Sequence, residues 1–131
     1  MRRLSTLLGL VACAAAPAAL AHHSFAVFFD ADKSVSISGK VTAFRFTNPH
    51  GTIVLAVSDA QGRTSEWRAE TNAPVVLQRR GWSRTSVKPG DMITVEGWPA
   101  RDGKPYLRLR RAVHADGRLV GTAPFGMGEQ S

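Results

Sequence analysis

Two histidines, His22 and His23, follow directly on Ala19-Leu20-Ala21, and a third, His50, sits in the run Asn48-Pro49-His50-Gly51. A chain that begins at His22 carries an α-amine and an imidazole on one residue, so those two nitrogens close a chelate ring without help from the fold. One further imidazole completes a nitrogen-rich tetragonal set, which suits Cu(II), the strongest binder among the divalent first-row metals. His23 offers a second mode, in which the amine, the intervening amide nitrogen and a second-position imidazole hold the same ion. His50, in a tight turn, is the best third ligand, and His114 is a weaker one. The metal ligands expected are therefore His22, His23 and His50, with copper as the cofactor.

This chemistry depends on cleavage after Ala21. Arg2 and Arg3 precede an uncharged apolar run from Leu4 to Ala16, Pro17 interrupts it, and Ala19-Leu20-Ala21 forms an Ala-x-Ala site. Residues 1–21 read as a removable signal peptide of a periplasmic or secreted protein. The run is too short for a transmembrane helix, which needs about 20 apolar residues. Leu10-Val11-Ala12-Cys13 resembles a lipobox and supplies a rival start, with lipid on Cys13 and the His22 amine locked in a peptide bond. Cys13 is the only cysteine. Cleavage at Ala21 thus excludes disulfides, thiolate nucleophiles and zinc-thiolate or iron-sulfur sites.

The chain has 17 Lys and Arg against 10 Asp and Glu, and only Arg2 and Arg3 leave with the leader. Such an excess favours anionic partners. It supports an alternative in which a metal-free module binds a small anionic ligand or a protein partner through Arg45, Arg79, Arg80, Arg108 and Arg110. Arginines beside Phe44, Phe46 and Tyr106 also resemble a single-strand groove, but export argues against nucleic acid, and aromatics suit the core of a small domain. Under the copper reading the partner is an exported redox or metal-handling protein. No Gly-x-Ser-x-Gly elbow, His-Glu-x-x-His helix or phosphate-cradling loop is present, so nothing supports an enzyme.

The elements that must position these residues are mostly strands. Phe25, Val27, Phe28 and Phe29 make residues 22–34 too apolar for a solvated tail and predict an arm packed on the domain. Val35, Ile37, Gly39 and Val41 alternate with polar residues, while Phe44 and Phe46 take the other parity, which predicts one long strand with a bulge or bend, Gly39 being a natural place for it. Ile53, Leu55 and Val57 form a second strand. Asp59-Ala60-Gln61-Gly62 turns into a third, Thr64 to Thr71, with Trp67 as a core anchor. Asn72 is expected to cap a short helix over Ala73 to Arg80, with Pro74 in its first turn and Gly81 at its stop. Lys88-Pro89-Gly90-Asp91 leads to a strand with Ile93, Val95 and Trp98, and Arg101-Asp102-Gly103-Lys104 leads to a fifth from Tyr106 to Ala115.

Five strands with one short helix between the third and fourth predict an all-β domain, a small five-stranded OB-like Greek-key barrel over residues 35–120. Residues 121–131 read as a flexible tail. The blocks Ala21-His22-His23-Ser24-Phe25, Thr47-Asn48-Pro49-His50, Arg80-Gly81-Trp82-Ser83 and Lys88-Pro89-Gly90-Asp91 with Val95-Glu96-Gly97 together resemble a family of small exported bacterial proteins classified as a domain of unknown function. The resemblance runs from His22 to about Val120. It implies export and a small β-rich domain, and no activity.

Overall fold

The computed structural model describes residues 25–127. The expected leader and its cleavage site, Cys13, His22 and His23 lie outside the described residues. Five strands follow one another along the chain: β1 (Val35–Arg45), β2 (Thr52–Ser58), β3 (Thr64–Glu70), β4 (Met92–Pro99) and β5 (Tyr106–His114), with one helix, α1 (Pro74–Arg79), between β3 and β4. They close into a barrel in the order β1-β2-β3-β5-β4. The β3–β5 pair is parallel and the others are antiparallel. This is the OB-fold arrangement.

A closed barrel needs one strand long enough to serve two neighbours, and β1 does so. Val35 to Lys40 pair with β4, and Lys40 to Arg45 pair with β2. The register slips between Val41 and Ala43, so Thr42 is the extra residue, and its hydroxyl donates to the Val54 carbonyl at 3.3 Å. That bulge accounts for the change of parity seen in the sequence. Gly39 plays a different part. A Cβ there would sit 2.7 Å from the Ala56 carbonyl oxygen, so the residue permits close backbone approach.

Ile53, Leu55, Ile93, Val95, Leu107 and Leu109 alternate into the barrel and form its core. Leu77 of α1 is fully buried and packs with them, which contributes about 2 kcal/mol by area. Pro74 opens the helix, and Gly81 with φ +75° follows its end. Asn72 does not cap the helix. Ala73 holds the cap position with no side-chain hydrogen bond, and the Asn72 side chain turns to Arg108 instead. Trp67 is half-buried at the edge of the core. No helix among the described residues is long and apolar enough to cross a membrane.

Gly121 to Phe125, within the segment expected to be loose, are anchored to the domain at Thr122, whose N–H donates to the Arg80 carbonyl at 2.9 Å, and at Phe125. Phe125 is 2% exposed, its N–H donates to the Arg110 carbonyl at 2.7 Å, and its ring lies 6.1 Å from that of Trp82. Glycines in this segment masked the signal of a buried aromatic, because composition weighs every residue equally while burial depends on where one ring lands.

Candidate functional site

The seam where β3 meets β5 is only three residue pairs long: Arg68 opposite Tyr106, Ala69 opposite Leu107 and Glu70 opposite Arg108. Leu107 and Leu109 point into the barrel, so Tyr106, Arg108 and Arg110 are on its outer side. Arg110 is exposed, yet Arg108 is only 3% exposed. Its Nη1 donates to Glu70 Oε1 at 2.6 Å and its Nη2 to Asn72 Oδ1 at 2.9 Å. Gly97 stands close by on β4, where a Cβ would overlap the Arg108 carbonyl oxygen.

The same guanidinium reaches His50. The ladder between β2 and β3 continues past Thr52, with the Thr71 N–H donating to the Gly51 carbonyl at 2.9 Å, and this holds His50 beside the seam. Arg108 Nη1 lies 3.2 Å from His50 Nδ1. Arginine only donates, so Nδ1 must accept, and the neutral ring then carries its proton on Nε2, 3.9 Å from Glu70 Oε1. Burial and the neighbouring Arg108 charge hold the imidazole below its usual range, with Glu70 opposing them. Glu70 accepts from the Tyr106 hydroxyl through its other oxygen. Burial and this carboxylate push the phenol above its ordinary value, so it stays a donor.

Along the outer side of this seam runs the segment before β1. Residues 25–28 form one helical turn. The Phe25 ring meets Trp98 edge-on at 5.5 Å, and the Phe29 ring lies 5.3 Å from Tyr106. Arg101 fastens the turn twice: its N–H donates to the Phe28 carbonyl at 2.9 Å and its Nε to the Ala26 carbonyl at 2.7 Å. Between this turn, the β4–β5 loop and the outer edge of β2 and β3 opens a cleft of about 630 Å³, with Phe28, Arg101, Lys104, Tyr106, Glu66 and Arg68 on its walls. Phe28 is 61% exposed.

The residues singled out in the sequence are therefore scattered. His50 belongs to the Arg108 network, and His114 lies at the far end of β5, about 20 Å from Arg108 along the strand. Among the described residues no group of three or more His, Cys, Asp and Glu is arranged to hold a metal. Arg45 and Arg79 are exposed at the end of β1 and on α1. The Arg80 guanidinium donates to the Pro124 carbonyl at 3.3 Å. Arg108 is not on a basic face at all. Glu70, Asn72, Tyr106, Phe28 and Arg101 carry the site; no local signal in the sequence marks Glu70, and the other four read there in different roles, Asn72 as a cap, Tyr106 beside a groove, Phe28 in the arm and Arg101 in a turn. Only the parallel β3–β5 pairing of an OB barrel signals that Glu70 faces Arg108.

The profile of a family of unknown function, DUF6152, matches residues 10–107. A comparison with curated proteins finds no match. Among solved structures, the chain is similar to the small single-stranded DNA-binding protein from Streptomyces coelicolor, at 19% identity over 66% of this chain and 94% of that one, with a TM-score of 0.45. It is also similar to the mitochondrial single-stranded DNA-binding protein Rim1 from S. cerevisiae, at 15% identity over 70% and 96%, with a TM-score of 0.47. The N-terminal domain of the PriB protein from Thermoanaerobacter tencongensis is similar at 14% identity over 64% and 97%, with a TM-score of 0.46.

Proposed function

This chain belongs to DUF6152, a family of unknown function, and we propose that it is an exported, non-enzymatic binding module that takes its ligand in the cleft between the helical turn at residues 25–28 and the β4–β5 loop. One observation carries this reading: the groups beside the cleft that resemble catalytic residues hold one another. Glu70 uses one oxygen for Arg108 and the other for Tyr106, and His50 Nδ1 faces a guanidinium. The phenol remains protonated. Such a set offers no poised base or nucleophile and instead fixes the Tyr106 ring at the wall of a preformed cleft, which is how a binding site lowers its ordering cost.

A screen of the processed protein by ligand-observed NMR, using small polar and aromatic compounds, tests the reading. Hits are expected to weaken in Phe28→Ala and Arg101→Ala and to persist in Arg79→Ala. Hits that ignore both cleft variants and disappear when Arg45, Arg79 and Arg110 are neutralised move the ligand to the outer basic surface.

A second reading keeps copper. Phe29 docks on Tyr106, whose hydroxyl donates to Glu70, the carboxylate that lies 3.9 Å from His50 Nε2. Cu(II) would be held by the amine and imidazole of His22, by His23, and by His50. Because Arg108 faces Nδ1, His50 has only Nε2 to offer, and binding there must displace the proton which that nitrogen carries. The module would then serve an exported redox or metal-handling partner.

A further inference from the structure

Resting on the cleft reading, we infer that the ligand is an uncharged oligosaccharide. OB barrels take oligonucleotides and oligosaccharides at the same place, the face of strands 2 and 3 together with the loop between strands 4 and 5, and the cleft occupies that place here. Charge decides between the two classes. Arg68 is matched by Glu66 through contacts of 2.9 and 3.1 Å. Lys104 is matched by Asp102 at 3.1 Å. Arg101 keeps its charge, with its Nε committed to the Ala26 carbonyl. A polyanion gains affinity by bringing phosphates to cations and releasing counterions, and here two of the three cations on the cleft walls are already paired with carboxylates. The cleft keeps one positive charge beyond its two carboxylates, and most of the protein's excess resides elsewhere, on residues such as Arg45, Arg79 and Arg110.

What the cleft does offer matches a sugar. The exposed Phe28 ring and the fixed Tyr106 ring present flat apolar surface to the C–H faces of a pyranose. Glu66 and Asp102 supply carboxylate acceptors for hydroxyls, and Arg68 supplies a planar donor fork held in place by Glu66. Hydroxyls use both kinds of partner at once, whereas a phosphate uses only donors.

Isothermal titration of the processed protein with chitohexaose, cellohexaose and maltohexaose, alongside a single-stranded oligothymidylate and a heparin-derived hexasaccharide, tests the inference. At least one neutral hexaose is expected to bind, with a dissociation constant that changes less than about twofold between low and physiological salt. Phe28→Ala should weaken it about tenfold, and Glu66→Gln should also weaken it, while Arg79→Ala leaves it unchanged. If the anionic probes bind in the cleft with steep salt dependence and no hexaose binds, the ligand class is wrong. If no hexaose binds but compounds from the screen still bind in a Phe28-dependent way, the oligosaccharide falls and the cleft stands. If nothing binds in a Phe28-dependent way, both fall.

Discussion

Glu70 and Arg108 are direct partners across the parallel β3–β5 pair, and their side chains meet at 2.6 Å with the arginine almost wholly shielded from water. The pair sits on the shortest seam of the barrel, the one that closes it. A buried charge without its partner is costly, so both residues are tied to one structural outcome although they lie 38 residues apart.

Removing one partner of this pair is expected to destabilise the domain by about 3 kcal/mol. In urea unfolding followed by tryptophan fluorescence, Arg108→Met and Glu70→Gln should each lower the midpoint clearly. The double variant Arg108→Met/Glu70→Gln should be less destabilised than the sum of its parts. Additivity of the two changes would show that the pair is not coupled.

The His50 imidazole is held below its usual range by burial and Arg108, which fixes the sign of its pH dependence. The unfolded chain takes up this proton near pH 6.5, while the folded ring resists it. Stability from this group is therefore whole above that pH and falls as the pH drops below it, until the folded ring also protonates. Thermal unfolding of the parent and of His50→Gln between about pH 7 and pH 5 should show a shallower loss in the variant. Identical slopes would remove His50 from the network.

Tyr106 is the only tyrosine, so its ionisation can be read by absorbance without overlap. The phenol is pushed above its ordinary value, and phenolate absorbance should stay absent through about pH 10 while the fold persists. Because the unfolded phenol ionises first, stability falls as the pH rises past that point. Glu70→Gln should bring the titration back toward the ordinary range. A free tyrosine titration in the folded parent would contradict the Glu70 contact.

Phe125 covers Trp82 from a segment rich in glycine. Phe125→Ala is expected to cost about 3 kcal/mol and to change the emission of Trp82, whereas Arg79→Ala on the exposed side of the helix should change neither.

Copper binding depends on where the chain starts. Intact mass of the protein isolated from its own cells distinguishes a first residue of His22 from a lipid-bearing Cys13. Under the copper reading, calorimetry with Cu(II) should give a dissociation constant below about 1 μM, weakened by His50→Ala and by one extra residue ahead of His22. Binding indifferent to His50→Ala would leave the ion to the terminus alone.

Much of the barrel was legible because alternation and turn residues are local signals. Val35 to Val41, Ile53 to Val57 and Ile93 to Val95 show which side chains face inward, and Asp59 to Gly62 marks a hairpin. The change of parity in the first strand was visible too, although its seat at Thr42 was not, since a bulge is defined by the partner strand. Asn72 looked like a helix cap because that is its local use; a buried guanidinium competed for the same side chain and took it.

By itself the sequence determined the succession of strands, the short helix and the OB topology, all of which follow from periodicity, turn chemistry and residue type. Only the tertiary structure decided that Arg108 is a buried partner of Glu70 rather than part of a basic surface, and that Phe28, Arg101 and Tyr106 share a cleft. The reason is that closing the barrel pairs β3 with β5 in parallel, and contacts made across that closure leave no trace in the spacing of residues along either strand.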